Sequence, residues 1–295
     1  MTMPATTGRE AKDGAVTSGA LVEVRNLVKT YGGHRARVRG EEVQAVADVS
    51  FDIVRGETLG IVGESGSGKS TVARIIIGLE TPTAGTVRFD GLDVHQLGNP
   101  ALRGLRRRQQ LVFQDPMSSL NRRKTVAQSI EAPMIVHGIA KQARVARVRQ
   151  LLELVGLHPG HSSAYPRQLS GGQAQRVAIA RALALDPEFV VLDEAVSSLD
   201  VSVQAQILNL LKDLQATLGL TYLFIAHDLA IVHFMATRIA VMYSGRVVEF
   251  ADRAKLFDDP QHDYTRSLLA AIPEPNPERA VRRPPALAEP PAETA

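Results

Sequence analysis

The 295 residues set a soft prior of two compact units at ~150 residues each, and 44% hydrophobic with 22% charged residues is ordinary globular composition. No apolar run approaches the ~18–20 residues of a membrane-spanning helix, no basic start precedes an apolar stretch as in a secretory signal, and the lack of cysteine removes disulfides, thiolate metal sites and cysteine nucleophiles while fitting a reducing compartment. A formal charge of +3 is too small to announce a nucleic-acid binder, and 4% aromatic content without tryptophan argues against a base-stacking platform.

In chain order, residues 1–20 are small and polar without hydrophobic period and read as a disordered leader. Strand-like runs follow at Leu21–Val28, Val43–Ile53, Thr58–Val62, Thr86–Phe89 and Leu111–Gln114. From about 116 to 170 the strand signal gives way to helical pattern, including an apolar stripe of Val145, Val148, Leu151, Leu152 and Val155. Further strands are expected at Phe189–Asp193, Thr221–Ala226 and Arg238–Met242. The runs LGIVG, FVVLD and YLFIA are apolar throughout, as suits strands buried on both faces. Val203, Ile207, Leu210, Leu211, Leu214 and Leu218 form a second helical stripe, which Gly219 is placed to end. Residues 273–295 hold seven of the 16 prolines and read as a solvated tail. The pattern predicts a parallel α/β core over 21–272 with an inserted helical subdomain at about 116–170.

The strongest chemical signal is GESGSGKS at Gly63–Ser70, between the apolar strand TLGIV and the helical TVARIIIGL. Glycines let backbone N–H groups turn inward around phosphates, and the following helix adds its dipole. Lys69 then bridges the outer phosphates, and the Ser70 hydroxyl is a magnesium ligand. Strand FVVLD ends in Asp193 followed by Glu194. Strand alternation sends the two side chains to opposite sides, which argues for separate tasks: Asp193 toward the metal, directly or through water, and Glu194 toward the attacking water. The helix opening at Ser170-Gly171-Gly172 presents free N–H donors to an anion. One chain thus carries two phosphate-facing surfaces, which a head-to-tail pair reconciles. Each nucleotide would lie between one chain's Lys69 and its partner's Ser170. The cluster Arg103, Arg106, Arg107 and Arg108 reads as a solvated face rather than a DNA contact, since 27 of the 34 basic residues are arginine.

LSGGQ at Leu169–Gln173, Gln114 in VFQDP, SSLD at Ser197–Asp200, His227 in IAHDL and Tyr31 in KTYGG stand in order around the phosphate loop. In set and spacing, the chain from Leu21 to about Ile272 resembles the ATPase subunit of an ABC transporter. DEAVSSLDVSVQAQILNLL, QDPMSSLN, the closing PQHDYTRSLLAAIPEPNP and the lengthened segment after Tyr31 resemble the oligopeptide and dipeptide importer branch, which also serves nickel and glutathione uptake. Arg122 and Asp263 depart from that branch's usual prolines.

The resemblance implies a P-loop ATPase with a mainly parallel core sheet, an antiparallel β subdomain and an α-helical insertion. It implies ATP and Mg2+ as bound species. Nucleotide would contact Tyr31 and the run Gly63, Glu64, Ser65, Gly66, Ser67, Gly68, Lys69, Ser70 and Thr71. The partner's nucleotide would meet Ser170, Gly171, Gly172 and Gln173, with Asp200 at the subunit contact. Glu194, His227 and Gln114 would serve the chemical step, and Ser70, Gln114 and Asp193 the metal. Implied partners are two transmembrane permeases, a second identical or paralogous ATPase subunit and, indirectly, an extracytoplasmic binding protein, with the chain on the cytoplasmic membrane face. A soluble ABC ATPase acting on nucleic acid is the rival; such proteins typically need a long coiled coil, a zinc insertion or two cassettes in one chain, and none is read in this sequence.

Overall fold

The computed structural model describes residues 19–32 and 42–272. The expected leader up to residue 18, the Pro-rich tail and most of the segment between Tyr31 and Val43 lie outside them. Strand β1 (Ala20–Tyr31) pairs antiparallel with β2 (Val43–Val54), Val24 opposite Phe51. The chain then enters β3 (Thr58–Val62), the phosphate loop and α1 (Lys69–Ile76). Strand β4 (Ala84–Phe89) returns to β1, β5 (Leu92–Asp93) adds an edge, and α2 (Asn99–Arg108) leads into β6 (Gln109–Val112). A helical stretch follows: α3 (Pro116–Ser119), α4 (Val126–Val136), α5 (Lys141–Leu154) and α6 (Gly171–Ala182), with 3-10 turns at Pro159–Ser163 and Pro166–Gln168. Strand β7 (Phe189–Asp193), α7 (Val201–Leu218), β8 (Thr221–Ala226), α8 (Leu229–Met235) and β9 (Arg238–Tyr243) complete the core. Strand β10 (Arg246–Asp252), α9 (Arg253–Asp258) and α10 (Asp263–Ala270) follow.

Two sheets result, β2-β1-β4-β5 and β10-β9-β3-β8-β7-β6. The first is antiparallel; the second is parallel except for the β9–β10 hairpin. Strands β3, β7 and β8 are buried at every position because both faces are covered. Alternation divides their side chains. Leu59, Ile61, Val191 and Leu223 join the antiparallel sheet and α1, whereas Val62, Leu192 and Phe224 join the helices α4 to α8. Each fully buried aliphatic or aromatic side chain contributes ~1.5–3 kcal/mol. The parallel strands thereby fix a rigid edge from which the phosphate loop and Asp193 both emerge.

The structure departs from the sequence reading in several places. The strand expected at Leu111–Gln114 runs instead over Gln109–Val112, because Asp115 accepts from Met117 N and starts α3, pulling Gln114 out of the ladder. Val145 is 55% exposed although Val148, Leu151, Leu152 and Val155 are buried, so the core-facing stripe of α5 is narrower than its hydrophobic pattern. Leu218 is also exposed, at the end of α7 where Gly219 turns left-handed. Strand β10 was not expected; its half-buried, mixed residues carry little strand pattern. Arg108 is not part of a free basic face. It bridges Asp90 at 2.6 Å and Glu188 at 2.5 Å, and Arg55 bridges the same two acids.

Candidate functional site

The phosphate loop is held where only glycine fits. A Cβ on Gly63 would lie 2.1 Å from the Met242 carbonyl oxygen, and one on Gly68, at φ +100°, 2.2 Å from that of Ala45. Helix α1 begins directly after Gly68 with no side chain capping its first turn. Its first N–H groups have no intrahelical acceptor, which makes the loop an anion cradle. Ser65, Gly66, Gly68, Lys69, Ser70 and Thr71 line a cleft of about 250 Å³ together with Ala45, Gln114 and Glu194. Lys69 is 4% exposed and donates from Nζ to the carbonyls of Gly63 and Glu64, both at 2.7 Å. Burial pulls its pKa down, against the charges of Glu194, Asp193 and Glu64.

Asp193 and Glu194 take different partners, though not by simple alternation. Glu194 adopts φ 48°, a left-handed backbone that ends the strand and turns its carboxylate back toward the cleft. Of the two acids only Glu194 lines the cleft, and the charges of both bear on Lys69. Asp193 is 7% exposed and accepts from Ser70 Oγ at 2.9 Å; burial pushes its carboxyl pKa up. Adjacent oxygens around an octahedral ion with 2.0–2.1 Å bonds lie about 2.9 Å apart, so this hard oxygen pair fits Mg2+. Among the described residues no group of three or more His, Cys, Asp or Glu side chains is placed to hold a metal ion. Gln114 Nε2 donates to Glu194 Oε2 at 2.7 Å, and His227 Nδ1 stands 3.8 Å from the same oxygen. Asp228, not His227, caps the following helix, leaving the imidazole exposed beside Glu194.

Tyr31 is 41% exposed at the end of β1. Its hydroxyl donates to Glu80 and is bonded to Thr71, while the Lys29 ammonium lies 5.1 Å from the ring centroid. Burial and the Glu80 carboxylate raise its pKa.

The remaining expected residues form a second cluster. Ser170 Oγ accepts from Gln173 N at 3.3 Å and Gln173 Oε1 accepts from Ser170 N at 2.9 Å, a reciprocal cap that opens α6. A Cβ on Gly172 would lie 2.5 Å from Val203 Cγ1, and one on Gly171 would touch Leu199, so α6 starts against the start of α7. Asp200 is the exposed N-cap residue of α7 with no side-chain capping bond. None of Ser170, Gly171, Gly172, Gln173 or Asp200 lines the phosphate-loop cleft. Ala45 and Glu80 escaped the sequence reading: Ala45 contributes a carbonyl, which no side-chain motif announces, and Glu80 is an isolated acid after α1.

Residues 46–197 match the family described as ABC transporter. The chain belongs to that family. Residues 248–295 match the oligopeptide/dipeptide transporter C-terminal region. The oligopeptide transport ATP-binding protein OppF of Bacillus subtilis is 51% identical to this ABC chain over 261 residues, covering 88% of it and 84% of the relative. A putative peptide import ATP-binding protein of Brucella ovis is 48% identical over 269 residues, 91% of this chain and 83% of the relative. Among solved structures, the dimeric post-hydrolysis state of an ATP-binding cassette bound to ADP and Pi superposes with a TM-score of 0.70 at 33% identity, covering 79% of this chain and 98% of that one.

Proposed function

We propose that this ABC protein is the ATP-hydrolysing motor subunit of a peptide importer. The observation that carries the ATPase reading is the phosphate-loop cleft itself, where Gln114 and Glu194 of the lining bond each other at 2.7 Å and the lining Ser70 is held by the buried Asp193 at 2.9 Å. The peptide class rests on the C-terminal region match and on the peptide-transport relatives.

In this reading Tyr31 stacks on adenine, Gly63 to Thr71 surround the phosphates, and Lys69 leaves its loop carbonyls to meet the outer phosphates. Ser70, Asp193 and Gln114 are the residues that would hold Mg2+, whose chemistry would be neutralisation of phosphate charge. Glu194 accepts the proton of the attacking water and His227 supports the γ-phosphate. Ser170, Gly171, Gly172, Gln173 and Asp200 serve the nucleotide of a second ATPase subunit, identical or paralogous; that none of them lines the chain's own cleft supports a head-to-tail pair. No described helix is long and apolar enough to cross a membrane. In keeping with the peptide-transport relatives, transport in this reading runs through separate permeases, two per assembly, with this chain peripheral on the cytoplasmic face. The unit spanning 21–272 carries the ATPase, and its helical part near 116–170 transmits nucleotide state to the permeases. An extracytoplasmic binding protein selects the cargo.

The test is ATP turnover by the reconstituted assembly. Stimulation by peptide-loaded binding protein is expected; stimulation by nickel and not by peptide would overturn the cargo class, and absence of ATP turnover would overturn the motor.

A further inference from the structure

The closing segment PQHDYTRSLL marks the importer branch, yet nothing in the nucleotide chemistry uses it. The structure brings it to the phosphate loop. Tyr264, at the start of α10, accepts a hydrogen bond on its hydroxyl from Glu64 N at 3.0 Å, across 200 residues of chain. Its ring lies against Tyr243 of β9, centroids 4.4 Å apart. Glu64 does not line the cleft, so this N–H is bound on the outer side of the loop while the cleft-facing donors stay open to phosphate. The β9–β10 hairpin supports the same surface. Gly245 N donates to Ser67 O at 3.2 Å, and Gly63 packs against the Met242 carbonyl.

Helix α10 does not depend on that hydroxyl for its own place. Glu249 accepts from Gln261 N at 2.9 Å and from His262 N at 3.0 Å, Thr265 is fully buried, and Leu268 and Leu269 pack on the core. The anchor is fixed independently, and the hydroxyl is what it offers to the loop.

We propose that Tyr264 is a positioning residue for the phosphate loop, through which the C-terminal segment sets ATP affinity. The proposal rests on the ATPase reading. Glu64 leads the loop that Lys69 closes, and a loop pinned at its outer side loses less freedom when phosphate binds. Linkage makes the effect reciprocal: nucleotide that stabilises the pinned loop also stabilises α10.

The test is Tyr264→Phe in the full chain, which keeps the ring against Tyr243 and deletes the hydroxyl alone. Titration with a fluorescent ATP analogue is expected to show about 2–10-fold weaker binding, because the unpinned loop loses more freedom when phosphate binds. In the assembled transporter KM for ATP rises by the same factor with kcat within about twofold, and the melting temperature of the nucleotide-free chain is unchanged. Hydrogen exchange of the Asp263–Ala270 amides slows on adding ATP in the wild type, and slows less in the variant. Equal affinity and equal ATP-induced protection in both proteins would overturn the positioning role, as would an affinity loss accompanied by a matching loss of melting temperature. Failure of the wild type to bind the analogue would instead overturn the ATPase reading, so the two failures are distinct.

Discussion

Replacing Glu194 by Gln isolates one proton. The amide keeps the side-chain volume and still offers an oxygen to Gln114 Nε2, which now donates to Oε2 at 2.7 Å, so the cleft keeps its shape. Deleted are the proton acceptor and one of the negative charges acting on Lys69. Loss of a general base costs about 10²–10⁴-fold in rate. At 1.36 kcal/mol per tenfold, that is about 2.7–5.4 kcal/mol in the barrier. ATP affinity moves the other way: with one fewer carboxylate beside the triphosphate, binding is expected to hold or tighten. Steady-state phosphate release and an ATP-analogue titration on the same preparation read both quantities. Turnover within about threefold of wild type, with ATP bound, would refute the assignment of Glu194. A fall in affinity large enough to account for the lost turnover would refute the argument that the cleft survives.

Other consequences are equally open to measurement. Lys69→Ala removes a buried cation that the phosphates are expected to recruit, so both affinity and turnover fall; Tyr31→Ala weakens binding mildly, the stacking of one base being worth ~1–3 kcal/mol, and leaves saturated turnover in place. Analogue titration separates the two, and unchanged binding by both would contradict the nucleotide pose. A Lys69→Ala chain mixed with a Gly171→Asp chain concentrates both lesions in one composite site and leaves the other intact. The mixed dimer is expected to regain part of the ATPase activity that either parent lacks; no recovery in mixed dimers confirmed by mass would count against shared sites. Hydrogen bonding from Arg108 holds the Glu188 carboxyl below its ordinary 4.5, so the stability it contributes is present above that value and lost as pH falls below it. The melting-temperature gap between wild type and Arg108→Ala should therefore narrow on acidification, and shrink in high salt because both acids are partly exposed. A remainder persists at all pH from the Arg108 guanidinium 5.0 Å from the Phe89 ring centroid; a pH-independent gap would contradict the ionic account.

What the sequence made legible was contiguous. Gly63 to Ser70 declares its chemistry because loop, lysine and helix start lie within eight residues, and the strand ending at Asp193 is marked by an unbroken apolar run. The pairing of Ser70 with Asp193, 123 residues on, follows from the metal role that the phosphate loop and the strand-end acid each suggest, though no local spacing gives its geometry. Beyond that, the information sits in backbone geometry. The φ of Glu194 overrides strand alternation, and the Ala45 carbonyl near Gly68 has no side-chain signature. Asp115 capping α3 moved Gln114 out of its expected strand, a local competition that hydrophobic period does not register. Val145 shows the opposite error, an apolar residue on the pattern but off the core. The contact of Tyr264 with Glu64 joins segments whose proximity follows only from how α10 packs beside β9.

The central claim is that hydrolysis at Glu194 drives peptide import, and uptake into vesicles tests it most directly. Proteoliposomes holding the permeases, this chain and its partner ATPase would be loaded with Mg-ATP on the side of this chain and given labelled peptide with the binding protein on the other. The account predicts ATP-dependent peptide accumulation that collapses when Glu194→Gln is introduced, while ATP remains bound; accumulation at the wild-type rate in that variant would contradict it.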